Sequence, residues 1–79
     1  MAGVTGPALL CAGEAVIDLV PEGDLLRPVP GGAALNTAIA AARLGAPTAF
    51  FGALSTDGFG MRLARAAGQA GVDLSLALR

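Results

Sequence analysis

A chain of 79 residues can build one small domain, and a domain of that size buries roughly 60–65% of the surface its unfolded form exposes. Hydrophobic residues make up 54% of it, with 12 Gly, 3 Phe and no Trp or Tyr, so a core has to be assembled from Ala, Leu, Val and Ile, which suits helix packed on sheet. Net charge is −1, Lys is absent and the five Arg are dispersed, which argues against a nucleic-acid partner, while a single Cys excludes an intrachain disulfide.

Residues 9–20 are apolar apart from Glu14 and Asp18 and predict a first buried strand, bulged or bent at Gly13. Cys11 sits within its apolar run and reads as a buried thiol. No basic residue precedes this segment and acidic residues follow it closely, unlike a secretory leader. The most apolar long stretch, residues 33–54, is interrupted by Asn36, Arg43 and Pro47, unlike a membrane span. A cytoplasmic protein without a membrane partner is the expectation.

Pro21, Gly23, Pro28 and Pro30 exclude regular helix and predict a turn-rich connection over residues 21–30, short, charged and hinged like a flap. Residues 33–44 are strong helix formers with Leu35, Ile39 and Ala42 on one face, and Gly45 followed by Pro47 supplies the stop. Residues 48–54 predict a short strand covered on both faces. Ser55, Thr56 and Asp57 offer caps to a second helix over 59–70, with Leu63, Ala67 and Ala70 inward and Gly71 at its close. Residues 72–78 alternate and predict a third strand. This order gives an α/β fold, a parallel sheet with crossover helices, and two helices are too few to cover such a sheet completely.

Four residues could carry chemistry. Gly31-Gly32 stands where a loop enters a helix, and such a mouth offers free N–H groups to an anion or a hydroxyl; a plain loop-to-helix turn is the alternative. Asn36, one turn on, offers an acceptor and two donors, matched to a sugar hydroxyl, or else faces solvent or bonds its own backbone. Asp18 falls at the expected C-terminal end of the first strand, where open α/β sheets place ligands, and a carboxylate there can orient a polyol; a solvated strand-end Asp is the alternative. Glu14 and Asp18, four residues apart along a strand, would have Cα atoms about 13 Å apart. That is beyond the ~5–9.5 Å of paired catalytic carboxyls, so Glu14 reads as structural. The chain has no His for triads or His-based metal sites, no Lys for a P-loop, and Gly58-Phe59-Gly60 lacks the third Gly of a dinucleotide fingerprint.

In order along the chain, Gly13-Glu14 through Asp18, Pro30-Gly31-Gly32 with Asn36, Arg43-Leu44-Gly45, Gly52 with Asp57-Gly58-Phe59-Gly60, and Gly71-Val72-Asp73 resemble the N-terminal part of the ribokinase-like (PfkB) carbohydrate kinases. Within that family the series is most similar to bacterial fructokinases and 2-keto-3-deoxygluconate kinases. Ala33 and Thr37 stand where ribokinases typically carry Lys and Gln, and Ala34-Leu35 where the family often has Pro-Ala.

The resemblance implies a Rossmann-like parallel sheet with a small lid at about residues 19–29. It also implies ATP- and Mg²⁺-dependent phosphorylation of a sugar hydroxyl, with Asp18, Gly31, Gly32 and Asn36 holding the sugar and the lid excluding water. A homodimer through the lid is a further implication. Family members are several times longer and place their catalytic base in a downstream Gly-Ala-Gly-Asp motif absent here, so residues 1–79 are expected to be an N-terminal portion of one kinase domain, inactive alone. A non-catalytic carbohydrate-binding remnant and a purely structural α/β fragment are the competing expectations.

Overall fold

A computed structural model describes residues 8–79. The order of elements is β1 (Leu9–Ala12), β2 (Val16–Glu22), β3 (Leu25–Gly31), α1 (Ala33–Arg43), β4 (Thr48–Phe51) and α2 (Gly58–Ala70). β1 pairs in parallel with β4, Cys11 opposite Phe50, and β2 pairs antiparallel with β3 as a separate two-stranded sheet.

Both helices follow from their sequence. Leu35 and Ala38 of α1 and Leu63 and Ala67 of α2 are buried with Cys11, Phe50, Leu54 and Val72 in one core, and Ile39 and Ala42 pack against it. α1 lies on β1 and β4 and touches α2 directly. Right-handed crossovers between parallel strands running in one direction put both helices on one face of the sheet. Each helix ends in a Schellman pair: Ala46 N–H to the Ala41 carbonyl with Gly45 N–H to Ala42, and Val72 N–H to Ala67 with Gly71 N–H to Gly68.

Three expectations need correction. The strand expected over 9–20 is two strands in two sheets, separated at residues 13–15, so Asp18 lies in the middle of β2 and not at the C-terminal end of a buried strand. Most of β2 is exposed. The connection expected to be turn-rich over 21–30 is paired strand, closed by a two-residue turn at Gly23-Asp24 between partners Glu22 and Leu25. Gly23 has φ 61° and no non-glycine residue among those described has positive φ, the pattern of a II′ hairpin turn. Prolines are tolerated in this ribbon because of their register. Counting from the closing pair, Pro21, Pro28 and Pro30 all fall in the non-hydrogen-bonded pairs, where no N–H is required. The third correction concerns residues 72–78, which run beside β4 through only two parallel bridges, Ala49 with Asp73 and Ala53 with Leu78. Between them the Asp73 carboxylate accepts a bond from Ser75 N–H at 2.8 Å, and that Asx turn breaks the strand.

The face of the sheet opposite the helices is open. Cys11 and Phe50 point into the core, so alternation sends Leu10 and Phe51 the other way, where they are 52% and 47% exposed. On the hairpin, Leu19, Leu25 and Leu26 are also exposed. Residues 1–79 prepared alone should therefore self-associate and bind a hydrophobic dye, and sedimentation analysis showing a monodisperse, cooperatively unfolding monomer would contradict this. Among the described residues, no helix is long and apolar enough to cross a membrane.

Candidate functional site

The hairpin β2–β3 rises from the sheet and returns the chain directly into α1, which places Asp18 beside the entrance of that helix. Asp18 and Gly31 lie on the same face of the ribbon, in pairs two apart in its register, with Ile17 and Pro30 between them on the opposite face. The Asp18 carboxylate occupies the space a Cβ on Gly31 would fill. Gly32 follows with φ 96° and ψ 130° as the N-cap residue of α1, and no side chain caps this helix. A Cβ on Gly32 would stand 2.6 Å from the Glu14 carbonyl oxygen. The two glycines thus serve close packing within the protein, Gly31 against Asp18 and Gly32 against the backbone that leads from β1 to β2. That leaves the first N–H groups of α1 free of any capping side chain, positive end outward.

Asn36 is on the first full turn, and its own N–H bonds the Gly32 carbonyl at 2.9 Å. Its side chain is exposed. Among the described residues, neither the Asp18 carboxylate nor the Asn36 amide hydrogen-bonds another protein group. The structure therefore brings Asp18 to Gly31 and links Gly32 to Asn36 through the helix backbone, with both polar side chains free, and no side-chain contact joins Asp18 to Asn36. Thr37 is spent on its own helix, its hydroxyl donating to the Ala33 carbonyl at 2.8 Å.

The N-terminus of α2 is closed by its own residues. Asp57 Oδ1 accepts from the Ser55 hydroxyl at 2.6 Å and from Gly60 N–H at 2.9 Å. These bonds, Ser55 first and Gly60 next, hold the Asp57 carboxyl below its ordinary value of 3.8. A carboxyl with a depressed folded pKa stabilises the fold above its unfolded pKa, and that contribution is lost as pH falls through the folded value. The melting temperature of an Asp57→Asn variant of the complete protein should thus lie below that of the parent at pH 7, and the gap should narrow once pH falls below about 3.8 and close below the lowered folded value. A gap that stays constant across this range would remove the charged cap as its cause.

Ile17 and Leu19 of β2 look across a cleft of about 340 Å³ at Phe59 and Leu63 of α2, with Ser55 and Asp57 at its rim. On the same face of the ribbon, where Pro30 pairs with Ile17, Pro30 and the α2 residues Arg62, Arg65, Ala66 and Gln69 line a smaller open hollow of about 170 Å³. Sequence reasoning missed the hairpin and with it these two clefts. The signal present was the Gly23-Asp24 pair between two runs rich in Val, Ile and Leu, residues 16–20 and 25–29.

The model of the pfkB family carbohydrate kinases matches residues 8–79. The chain belongs to the pfkB family. A fructokinase of Escherichia coli is 45% identical over 64 residues, which is 80% of this chain and 21% of that protein. The aminoimidazole riboside kinase of Salmonella enterica, solved with aminoimidazole riboside and an ATP analog, superposes with a TM-score of 0.83 at 36% identity, covering 87% of this chain and 24% of that one. The fructokinase of Vibrio cholerae, solved with fructose, ADP and calcium, gives 0.83 at 37% identity over 90% of this chain and 24% of its own. The chain spans about a fifth of the length of the curated relatives it matches. Its α/β fold is ribokinase-like.

Proposed function

We propose that this chain is the sugar-binding portion of an ATP-dependent carbohydrate kinase that moves a phosphoryl group to a sugar hydroxyl. The observation that carries the reading is the unpartnered Asp18 carboxylate set against Gly31 at the uncapped mouth of α1, one turn from the free Asn36 amide. In this reading Asp18 accepts bonds from one or two hydroxyls of the sugar, Asn36 both donates and accepts, and Gly31 and Gly32 hold the helix mouth close to the ring. The lid hairpin excludes water that would compete for the phosphoryl group. Fructose is the favoured acceptor, since fructokinases dominate the relatives, and 2-keto-3-deoxygluconate is the second candidate.

ATP and Mg²⁺ belong to this reading through the family. In this reading nucleotide and metal are held by the rest of the kinase. The general base is assigned there too, in a downstream Gly-Ala-Gly-Asp motif. Phosphoryl transfer depends on positioning and charge stabilisation, so residues 1–79 alone should not turn over. The exposed leucines beside the hairpin turn, Leu25 and Leu26, fit a homodimer contact, and a cytoplasmic location goes with ATP as donor.

The test is to express the complete coding sequence and measure sugar-dependent ADP release from MgATP with fructose, 2-keto-3-deoxygluconate and ribose. Turnover on one of them establishes the kinase and selects its acceptor. No turnover, with sugar binding retained, would replace the kinase by a carbohydrate-binding protein.

A further inference from the structure

α2 presents two stripes. Gly60, Leu63 and Ala67 face the core. Arg62, Arg65, Ala66 and Gln69 fall at helical spacings of three, four and seven residues and form a second stripe, turned to the root of the hairpin where they line the hollow under Pro30. The core does not account for this second stripe. Arg62, Arg65 and Gln69 are exposed, and the one ion pair among the described residues, Arg27 with Glu22, lies elsewhere on the hairpin.

Pro30 is a stiff point of contact, its φ fixed by the ring. The next residue, Gly31, is buried against the Asp18 carboxylate, and the one after, Gly32, opens α1. Any shift of Pro30 on α2 therefore reaches Asp18 through one residue. The aliphatic stems of the two arginines are suited to prop such a contact while their charged ends stay in water.

We infer that the Arg62, Arg65, Ala66 and Gln69 stripe of α2 is the seat of the lid, and that these are positioning residues that set where Asp18 stands over the mouth of α1. Sugar affinity is then tuned from α2, by residues that do not touch the sugar. This rests on the kinase reading above.

The experiment uses the complete kinase carrying Ala66→Leu, which fills the hollow with a good helix former, and the pair Arg62→Ala with Arg65→Ala, which removes the props. Sugar KM should rise about fivefold to tenfold in each, the worth of roughly one weakened hydrogen bond to a charged group. The ATP KM, kcat at saturating sugar and the melting temperature should stay near those of the parent. Arg62→Lys with Arg65→Lys keeps the stems and should restore the parent sugar KM. Unmoved sugar KM in both the filled and the stripped variants overturns the seat, as does a rise of ATP KM in step with it. A parent enzyme without turnover disposes of the kinase reading alone; sugar binding followed by calorimetry then reads the seat, supported by weaker binding in the variants and overturned by equal binding or by none in the parent.

Discussion

Asp18→Ala in the complete kinase should lower kcat/KM for the sugar about a hundredfold. The carboxylate is exposed, without a protein hydrogen-bond partner among the described residues, and pressed against Gly31 at the helix mouth. Its role is confined to what it accepts from a ligand. A hydrogen bond to a charged group is worth about 1.5 kcal/mol or more, and two neighbouring sugar hydroxyls give two of them. At about 1.4 kcal/mol per factor of ten, their loss amounts to about two orders of magnitude. Asp18→Asn should be milder, since one carbonyl oxygen still accepts. Because Asp18 holds no other side chain in place, the melting temperature should hardly change. Unchanged kinetics of Asp18→Ala on every accepted sugar would remove this residue from the site.

The second large effect is expected at Gly32 and concerns the fold and the site together. Gly32 and Gly45 have almost the same φ, 96° and 93°, so an Ala at either position is strained by its backbone alone. That strain is on the order of 1–3 kcal/mol. They differ in surroundings. A Cβ on Gly45 meets nothing within 4 Å, whereas one on Gly32 would stand 2.6 Å from the Glu14 carbonyl oxygen and 3.2 Å from Ala15 Cα. Both are backbone atoms, which no rotamer change can move aside. Relief has to come from displacing residues 14–15, the stem of the hairpin that carries Asp18. Gly32→Ala should therefore destabilise well beyond Gly45→Ala, by about 3 kcal/mol or more in all. It should also raise sugar KM, which Gly45→Ala leaves alone. Equal melting temperatures for the two variants would show that residues 14–15 yield at no cost.

Much of this could be read from residue order. The two helices were legible because Leu35, Ile39 and Ala42, and then Leu63 and Ala67, repeat at helical spacing between recognisable caps, and the core uses those same positions. Asp18, Gly31, Gly32 and Asn36 stood out by residue type and motif order; the structure lays Asp18 against Gly31 and sets Asn36 one turn on from Gly32, and no contact joins the two polar side chains. What was hidden is the ribbon. A proline taken alone marks a break, but in a two-stranded antiparallel pair every second residue has an N–H with nothing to bond inside the ribbon, and Pro21, Pro28 and Pro30 occupy only such positions. Single-residue rules do not contain that parity. Residues 72–78 failed for a different reason. Their alternation is real, yet the Asp73 side chain competes for the backbone donor of Ser75 and interrupts the ladder.

The parity of the prolines also makes the two margins of the hairpin unequal. Along the outer margin of β3, two of the three outward positions, Pro28 and Pro30, have no hydrogen to give, leaving Leu26 alone. Along β2, Ile17 and Leu19 both keep theirs and only Pro21, near the tip, does not. One side of the ribbon is sealed and the other is a ladder with its rungs exposed. Any further strand that widens this ribbon, from the same polypeptide or another, has one side on which to dock, next to β2, and its direction of growth is written into three proline rings.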